Sequence, residues 1–367
     1  MNNDLLYQIA LTKVAHIGDV HARTLINHFK DAPSIFNASR KELERIDGIG
    51  TIRANAVKSF RDFESCEKEM HFIEKNKIVP LCINDPNYPQ RLLRSIDCPT
   101  LLYYKGNTNL NESKIISIVG TRNNSEYGKS ICEKLIEDLS KENIIIVSGL
   151  AYGIDTISHQ AALKNGLPTI GILAHGLDRI YPPQNKNLAI QMIQHGGLLT
   201  DFTSGEAPNK QNFPRRNRIT AGICDALIVV ETGKTGGSLI TAEIANSYNK
   251  DVFAMPGRIN DAKSIGCNHL IKTNKACLIT DANDILEMMK WNTTSAKIFK
   301  KQTSLFYSFT ENEEKIFNAL KTEATLNYDV LYSKTLLSNS DIANALLTLE
   351  INGIITALPG KRYRLSN

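Results

Sequence analysis

The sequence lacks the features that mark disulfide-rich, membrane-spanning and secreted proteins. Its seven cysteines contain no Cys-x-x-Cys pair, which argues against a disulfide framework and a structural zinc site. No apolar run approaches the roughly 20 residues that span a bilayer. The first residues, MNNDLLYQIA, have neither the basic segment nor the cleavage site of a secretory signal. We therefore expect a cytoplasmic protein with no metal site and no membrane contact.

Two phosphate-binding motifs are also absent. The stretch ETGKTGGS contains Gly233-Lys234-Thr235, but a Walker A motif needs a glycine five residues earlier, where the chain has Ile228. No Gly-x-Gly-x-x-Gly follows the first strand of the sheet predicted below. A P-loop and a dinucleotide site are therefore poorly supported, and we predict no cofactor.

Catalytic side chains are equally sparse. Asp155 and His159 lie four residues apart in DTISHQAAL, on one face of a predicted helix. They form either an acid–base couple or a helix-terminal carboxylate beside a buried, hydrogen-bonding histidine. No nucleophile and no metal-ligand spacing accompanies them. The residues alone therefore leave the role of this pair open.

Positive charge is concentrated in the middle of the chain. The 367 residues carry a formal net charge of +5. Residues 1–75 are neutral, residues 76–304 carry +6, and residues 305–367 carry −1. If a polyanion binds this protein, we expect it to bind the central segment.

Apolar runs alternate with stretches of helical period through this central segment. Continuous apolar strands between helices are typical of a parallel sheet that is covered on both faces. We therefore predict a doubly wound α/β core in residues 76–291, which begins with an irregular, proline-rich segment at 76–113. The predicted strands lie in 114–120, 143–149, 168–174, 197–202, 225–231, 251–257 and 276–281.

Smaller regions flank this core. In residues 1–75, Ile17-Gly18 and Gly48-Ile49-Gly50 each precede an amphipathic stretch, which predicts paired helix–hairpin–helix motifs. Their glycines either turn backbone N–H groups toward a phosphate or only make turns in a helical bundle. Residues 292–309 are a predicted polar linker, and residues 310–367 are predicted to form three helices and a β-hairpin, a winged helix. The net charge of −1 and the few lysine and arginine residues on its third helix favour binding to a partner, or weak DNA binding, over strong DNA binding.

The loops that follow the strands contain the residues expected to bind an anion. In a doubly wound sheet, ligands bind beyond the carboxyl ends of the strands, where the strand order reverses. Small residues there let backbone N–H groups approach a phosphate, and helix N-termini add a favourable dipole. The site residues predicted after the first, second and fifth strands are Gly120, Thr121, Arg122, Ser148, Gly149, Gly153, Lys234, Gly236, Gly237 and Ser238.

The loop after the fourth strand contains KQNFPRRNR, which places four cations around one aromatic ring. No carboxylate occurs between residues 207 and 224, and guanidinium groups are efficient bidentate partners of phosphate. The ring either packs in the core or offers a surface on which bases of a single strand stack. On a helix, Arg215 and Arg218 share a face and Arg216 points elsewhere. The predicted contacts are Lys210, Phe213, Arg215, Arg216, Asn217 and Arg218.

These ordered blocks together resemble the DNA-processing protein A (DprA/Smf) family along almost the whole chain. The matching stretches are DPNYPQRLLRSIDCPTLLYYKG, IVGTRNNSEYG, SGLAYGIDTISHQAAL, GGLLTDF, NFPRRNRITAG, ETGKTGGSLITAEIA and VFAMPG. The resemblance implies a helix–hairpin–helix or SAM-like start, an extended Rossmann-like core and, in many members, a winged-helix tail. Tyr152 departs from the pattern, because many members have arginine there.

The same resemblance implies a role without catalysis. Members bind incoming single-stranded DNA during natural transformation, protect it and load the recombinase RecA onto it. They act as homodimers through the core, which places the dimer and RecA surfaces of this chain at roughly 255–290. The DNA pocket should include Arg122, Lys210, Phe213, Arg216-Asn217-Arg218 and the loop 234–238.

An enzyme of nucleotide metabolism is the alternative. The core also resembles phosphoribohydrolases of the lysine-decarboxylase-like group, which cleave a base from a nucleotide. Those enzymes have Pro-Gly-Gly-x-Gly-Thr followed by a catalytic glutamate. This chain has ETGKTGGSLITAE, without that pattern, although Glu243 falls near the expected position.

Overall fold

The computed structural model describes residues 3–112, 114–291, 309–323 and 325–365. The chain forms two compact units, residues 1–290 and 291–367. Nearly all of the predicted linker, 292–309, lies outside the described residues. Across the described ranges, no helix combines the length and the apolar character that a bilayer crossing needs.

Six short helices open the first unit. Asp31 and Ser39 start two of them by accepting the backbone N–H of Ser34 and Glu42. Gly48 lies in the turn before the fifth helix with a φ of 78°, which glycine adopts without strain. The predicted helical region is therefore confirmed. The helices are α1 (Asn3–Lys13), α2 (Asp19–Phe29), α3 (Ala32–Asn37), α4 (Arg40–Glu44), α5 (Gly50–Ser59) and α6 (Phe63–Lys75).

A nine-stranded sheet fills the rest of the first unit. Its strands are β1 (Val79–Cys82), β2 (Leu101–Gly106), β3 (Ile115–Val119), β4 (Ile145–Ser148), β5 (Thr169–Ile172), β6 (Gly196–Thr200), β7 (Ala226–Val229), β8 (Asp251–Ala254) and β9 (Cys277–Leu278). The spatial order is β1-β2-β6-β5-β4-β3-β7-β8-β9. From β6 to β9 all neighbours are parallel, so the predicted parallel sheet is confirmed.

The segment 76–113 was predicted to be irregular, and that prediction is wrong. It contributes β1 and β2, which pair with each other and with β6 in antiparallel fashion. Pro80 lies within β1, at the edge of the sheet, where a proline is tolerated because no further strand needs its missing N–H. The surrounding prolines concealed the short apolar runs of these two strands.

Seven helices connect and cover the parallel strands. Every residue of β3, β4 and β5 is buried, as expected for strands with helices on both faces of the sheet. The helices are α7 (Glu126–Leu139), α8 (Ile154–Lys164), α9 (Lys186–Gln194), α10 (Asn212–Gly222), α11 (Gly237–Ser247), α12 (Ile265–Lys272) and α13 (Ala282–Met288).

The strand order reverses between β3 and β7. The chain proceeds from β3 through β4 and β5 to β6, and then returns to place β7 on the other side of β3. In the register of this pair, Ile116 lies opposite Ala226 and Val119 opposite Val229. The connections that leave β3 and β7 therefore diverge, which opens a crevice beyond their carboxyl ends.

The second unit has its own small core. It contains α14 (Glu311–Thr322), β10 (Leu326–Asn327), α15 (Tyr328–Thr335), α16 (Asn339–Ile351), β11 (Ile355–Leu358) and β12 (Arg362–Leu365). The three strands form an antiparallel sheet in the order β10-β12-β11. Ser338 starts α16 by accepting the backbone N–H of Asp341. Ile316, Leu331 and Leu349 are buried where the helices meet.

Candidate nucleic-acid interface

A pocket with a volume of about 460 Å³ opens at the crevice between β3 and β7. Its walls come from the loops after β3, β4 and β7, from one face of α10 and from the start of α11. The structure thus brings together segments that lie more than 100 residues apart in the chain. Ten of the predicted site residues line this pocket: Gly120, Thr121, Arg122, Gly149, Phe213, Arg216, Asn217, Gly236, Gly237 and Ser238.

Backbone contacts fix the loops after β3, β4 and β7 against one another. The N–H of Thr121 donates to the carbonyl of Glu231 over 2.7 Å, and the N–H of Ile154 donates to the carbonyl of Thr121 over 3.2 Å. Gly153 has a φ of 76°, and a Cβ there would lie 2.2 Å from the Thr121 carbonyl oxygen. Only glycine allows this approach, so Gly153 shapes the pocket from behind without lining it.

The start of α11 is open to the pocket. A Cβ on Gly236 or Gly237 would have no neighbour closer than 3.5 Å or 3.9 Å, respectively. The hydroxyl of Ser238 donates to Thr232 Oγ1 over 2.8 Å, which closes the first turn. The first N–H groups of a helix have no partner within the helix and carry partial positive charge, so this end of the pocket attracts an anion.

Arg216 forms the floor of the pocket. It is only 5% exposed, and its Nη1 donates to the carbonyls of Gly149 and Ile172. Its Nε donates to Asn217 Oδ1 over 3.3 Å. Burial lowers the pKa of its guanidinium, and the Asp155 carboxylate acts in the opposite direction. A Cβ on Gly149 would lie 2.4 Å from Arg216 Nη1, so glycine at position 149 leaves room for the guanidinium.

Asp155 also lines the pocket, and it balances the charge of Arg216. Its Oδ2 accepts the backbone N–H of Ala151 over 3.3 Å. Burial raises the pKa of this carboxyl group, and Arg216 lowers it. Because the floor contains one cation and one carboxylate, an anion must be attracted chiefly by the amides and by the exposed Arg122 at the rim.

Phe213 lies at the rim of the pocket and is half-buried. The Arg122 guanidinium carbon is 5.1 Å from the centre of its ring, a cation–π contact. Of the two readings of this residue, the structure favours the surface one, because its ring borders the cavity. Lys210 and Lys234 are exposed on adjoining segments, and neither side chain lines the pocket.

Ser148 lies beneath the pocket. Its side chain is fully buried, and its hydroxyl donates to the carbonyl of Ile118 over 2.6 Å, which joins β4 to β3. It is therefore not placed to contact a ligand.

Arg218 and Arg215 face away from the pocket. They lie at a crevice between the N-terminal helices and β6, which we call the helical crevice; it is lined by Leu11, Ile17, Asp19, Asp201, Phe202 and Arg215, among others. Arg218 forms ion pairs with Asp201 over 2.6 Å and with Asp19 over 2.8 Å, and it donates to the carbonyl of Asp97. Burial opposes the charge of Arg218, but Asp201 and Asp19 raise its pKa overall. No carboxylate lies near Arg218 in the sequence, but Asp19 and Asp201 reach it from more distant positions. These ion pairs give Arg218 a structural role.

His159 does not form an acid–base couple with Asp155. Thr169 Oγ1 donates to the carbonyl of Ile146 over 3.0 Å, so the 2.7 Å contact with His159 Nδ1 requires the imidazole to donate. Burial, with a smaller contribution from Arg216, lowers the pKa of His159 to about 3. Of the two readings, the structure favours a neutral, buried, hydrogen-bonding histidine.

Three threonines that line the pocket were not predicted, Thr220, Thr232 and Thr241, whereas Thr235 lies within the predicted loop 234–238. Thr220 lies four residues after Arg216 on α10, so helical spacing would have placed it on the same face. Thr232 and Thr241 lie just outside the predicted loop, on either side of it. In the part of the chain that the structure describes, no group of three or more His, Cys, Asp or Glu side chains has the arrangement of a metal site.

The fold and the pocket define an α/β protein with a glycine-rich pocket at the switch point of a doubly wound sheet. A family model described as DNA recombination-mediator protein A matches residues 79–290, and a helix-hairpin-helix motif model matches residues 10–68. The chain belongs to the DNA-processing protein A (DprA/Smf) family.

Named relatives match this chain in sequence, and two solved structures match it in fold. Protein Smf of Synechocystis is 32% identical over 400 residues, which cover 99% of each chain. DNA processing protein DprA of Streptococcus pneumoniae is 45% identical over 58% of this chain and 75% of its own. The solved structure of the pneumococcal protein matches with a TM-score of 0.67 and 35% identity, over 78% of this chain and 98% of that chain. A Helicobacter pylori structure, described by its single-stranded DNA binding mode, matches with a TM-score of 0.53 and 29% identity, over 59% of this chain and 96% of that chain.

Proposed function

We propose that this protein is a single-stranded-DNA-binding recombination mediator. The observation that carries the proposal is the pocket itself, where Arg122, Arg216, the first amides of α11 and the ring of Phe213 border one cavity. Cations and amides suit the phosphates of a single strand, and the ring suits its bases. The single-stranded DNA binding described for the Helicobacter pylori relative supports this assignment.

The proposed biological role follows from the family. The protein protects incoming DNA during natural transformation and loads RecA onto it in the cytoplasm, without catalysis of its own. It acts as a homodimer through the core at 255–290, which is also where RecA binds. The exposed apolar side chains in this stretch support an interface, since Ile259 is 89% exposed and Met288 is 52% exposed.

For the second unit we propose a winged helix that binds a partner. The order of its elements, helix, strand, two helices and two strands, supports the fold. Its third helix, α16, has no lysine or arginine, which disfavours contact with a DNA backbone.

The proposed DNA site is tested by reversing one exposed charge at its rim. Arg122→Glu should weaken binding to oligothymidine at least tenfold near 0.1 M salt. It should also lower the slope of log K against log salt by about 0.7 for each lost phosphate contact. Lys129→Glu is the matched control, because Lys129 is exposed on α7 and does not line the pocket. Gel shifts with single- and double-stranded DNA make the measurement, and equal affinities for both variants and the wild type would refute the site.

Base cleavage is the alternative function, and the structure gives it little support. Glu243, the residue nearest to the catalytic position of the phosphoribohydrolases, does not line the pocket, and its exposed carboxylate pairs with Lys275 over 3.2 Å. Incubation with nucleoside monophosphates tests this function directly. Release of free base with turnover would replace the binding role with an enzymatic one.

A further inference from the structure

Two exposed tyrosines lie beside Phe213 at one edge of the pocket. Tyr152 is 42% exposed in the loop after β4, and Tyr181 is 43% exposed in the loop after β5. The centres of the Tyr181 and Phe213 rings are 6.2 Å apart, and their planes are tilted by 52°. Large rings exposed together in this way need an explanation, because folding alone favours their burial.

All three rings border a narrow slot that adjoins the main pocket. Arg122, Gly149 and Arg216 line both cavities, so the slot is a direct extension of the anion site. Its volume is only about 20 Å³, which excludes a base from its interior. A base next to a bound phosphate would therefore lie on the outer, exposed faces of the rings.

Hydrogen bonds hold the side chain of Tyr152 and the backbone of Tyr181. The Tyr152 hydroxyl donates to Gln184 Oε1 over 2.5 Å. The backbone N–H of Tyr181 donates to His175 Nε2 over 3.2 Å, and His175 Nδ1 in turn donates to the carbonyl of Gly176 over 2.9 Å. The Tyr152 ring is therefore fixed before binding and loses little conformational entropy when a base stacks on it, whereas at Tyr181 the hydrogen bond fixes the backbone and the ring packs beside Phe213.

We propose that Tyr152, Tyr181 and Phe213 form an aromatic rim that stacks nucleobases of any sequence beside the phosphate in the pocket. This inference rests on the proposed function and adds a ligand contact to it. Every base has a π-face, so such a surface binds a single strand without selecting its sequence. At position 152 the chain therefore contributes a stacking surface in place of a charge.

The test compares oligothymidine with an abasic oligonucleotide of the same length and charge. Tyr152→Ala and Tyr181→Ala should each weaken oligothymidine binding by about five- to a hundredfold, as base stacking predicts, with an unchanged salt slope. The same variants should bind the abasic strand as the wild type does. Tyr152→Phe and Tyr181→Phe keep the ring and should restore most of the affinity for oligothymidine.

Tyr127→Ala is the matched control. Tyr127 is 48% exposed and lines neither cavity, so its loss should leave both affinities unchanged. If the alanine variants at 152 and 181 bind oligothymidine as the wild type does, or lose affinity equally for both strands, the aromatic rim is refuted. A wild-type protein that binds neither strand would instead overturn the proposed function, so the two failures are distinguishable.

Discussion

Arg216 and Arg218 lie two residues apart on α10, yet they belong to different regions of the molecule. Arg216 forms the floor of the pocket with a single carboxylate, Asp155. Arg218 lies at the helical crevice between two carboxylates, Asp19 and Asp201. The floor of the pocket is therefore charge-balanced and Arg122 at its rim remains available to an added anion, whereas Arg218 is already paired with two carboxylates. The counter-ions that folding supplies, rather than the neighbouring sequence, determine which arginine is available to a ligand.

The largest expected effect comes from removing the cation of the helical crevice. Arg218→Ala leaves Asp19 and Asp201 partly or fully buried without their partner, and should lower the free energy of unfolding by about 3–5 kcal/mol. A urea titration measures it. Arg215→Ala, at an exposed neighbouring position, should change stability by no more than about 0.5 kcal/mol. If Arg218→Ala instead keeps its stability and lowers the salt slope of DNA binding, Arg218 contacts phosphate and the comparison fails.

A smaller effect is expected at the floor of the pocket. Gly149→Ala places a Cβ 2.4 Å from Arg216 Nη1, so the guanidinium must shift. We expect a loss of stability of about 1–3 kcal/mol, typical of overpacking, together with weaker binding to oligothymidine. Gly205→Ala is a useful reference for stability, since a Cβ there meets no neighbour, although its φ of 84° adds strain. If a folded Gly149→Ala protein binds DNA as the wild type does, Arg216 does not contribute to ligand binding.

Acid should change stability in opposite directions through His159, buried against β5, and through Asp19 at the helical crevice. Burial lowers the pKa of His159 to about 3, so the unfolded chain binds the proton first and stability falls as pH decreases below about 6.5. Burial, with Asp201, raises the pKa of Asp19 despite Arg218, so its protonation favours the folded state as pH approaches 3.8 from above. His159→Asn should remove a slope of about 1.4 kcal/mol per pH unit between pH 6 and pH 5. Unfolding titrations across that range make the measurement, and an unchanged slope would contradict a neutral His159.

The smallest effects are expected from the two lysines outside the pocket. Lys210→Ala and Lys234→Ala should each reduce affinity for oligothymidine a few-fold and lower the salt slope by no more than about 0.7, the value of one phosphate contact. Fluorescence anisotropy over a range of salt concentrations measures both quantities. Arg122→Ala, measured alongside them, is the reference for a residue that lines the pocket. A larger loss from either lysine variant than from Arg122→Ala would show that the strand follows the flanking segments instead of the pocket.

The parallel sheet was predictable because each of its strands is a continuous apolar run, and the anion loops were predictable because they follow those strands. Ser148 was predicted to contact the ligand, but its side chain is buried against β3. The position of a residue at the end of a strand does not say whether its side chain faces the loop or the adjacent strand. Arg218 could not be assigned from its surroundings in sequence, because Asp19 lies almost 200 residues earlier. Tyr181 was missed because nothing in its own loop indicates that it packs beside Phe213.

The ion pair between Asp19 and Arg218 has a practical consequence for dissecting this protein into fragments. The family model begins at residue 79, and a fragment cut there would keep every residue that lines the pocket. It would nevertheless lose one of the two carboxylates that hold α10, along with Arg23, which donates to the carbonyls of Ser95 and Leu93. The smallest self-sufficient DNA-binding piece should therefore include α2, and the amino-terminal helices are better regarded as part of the core than as a detachable module.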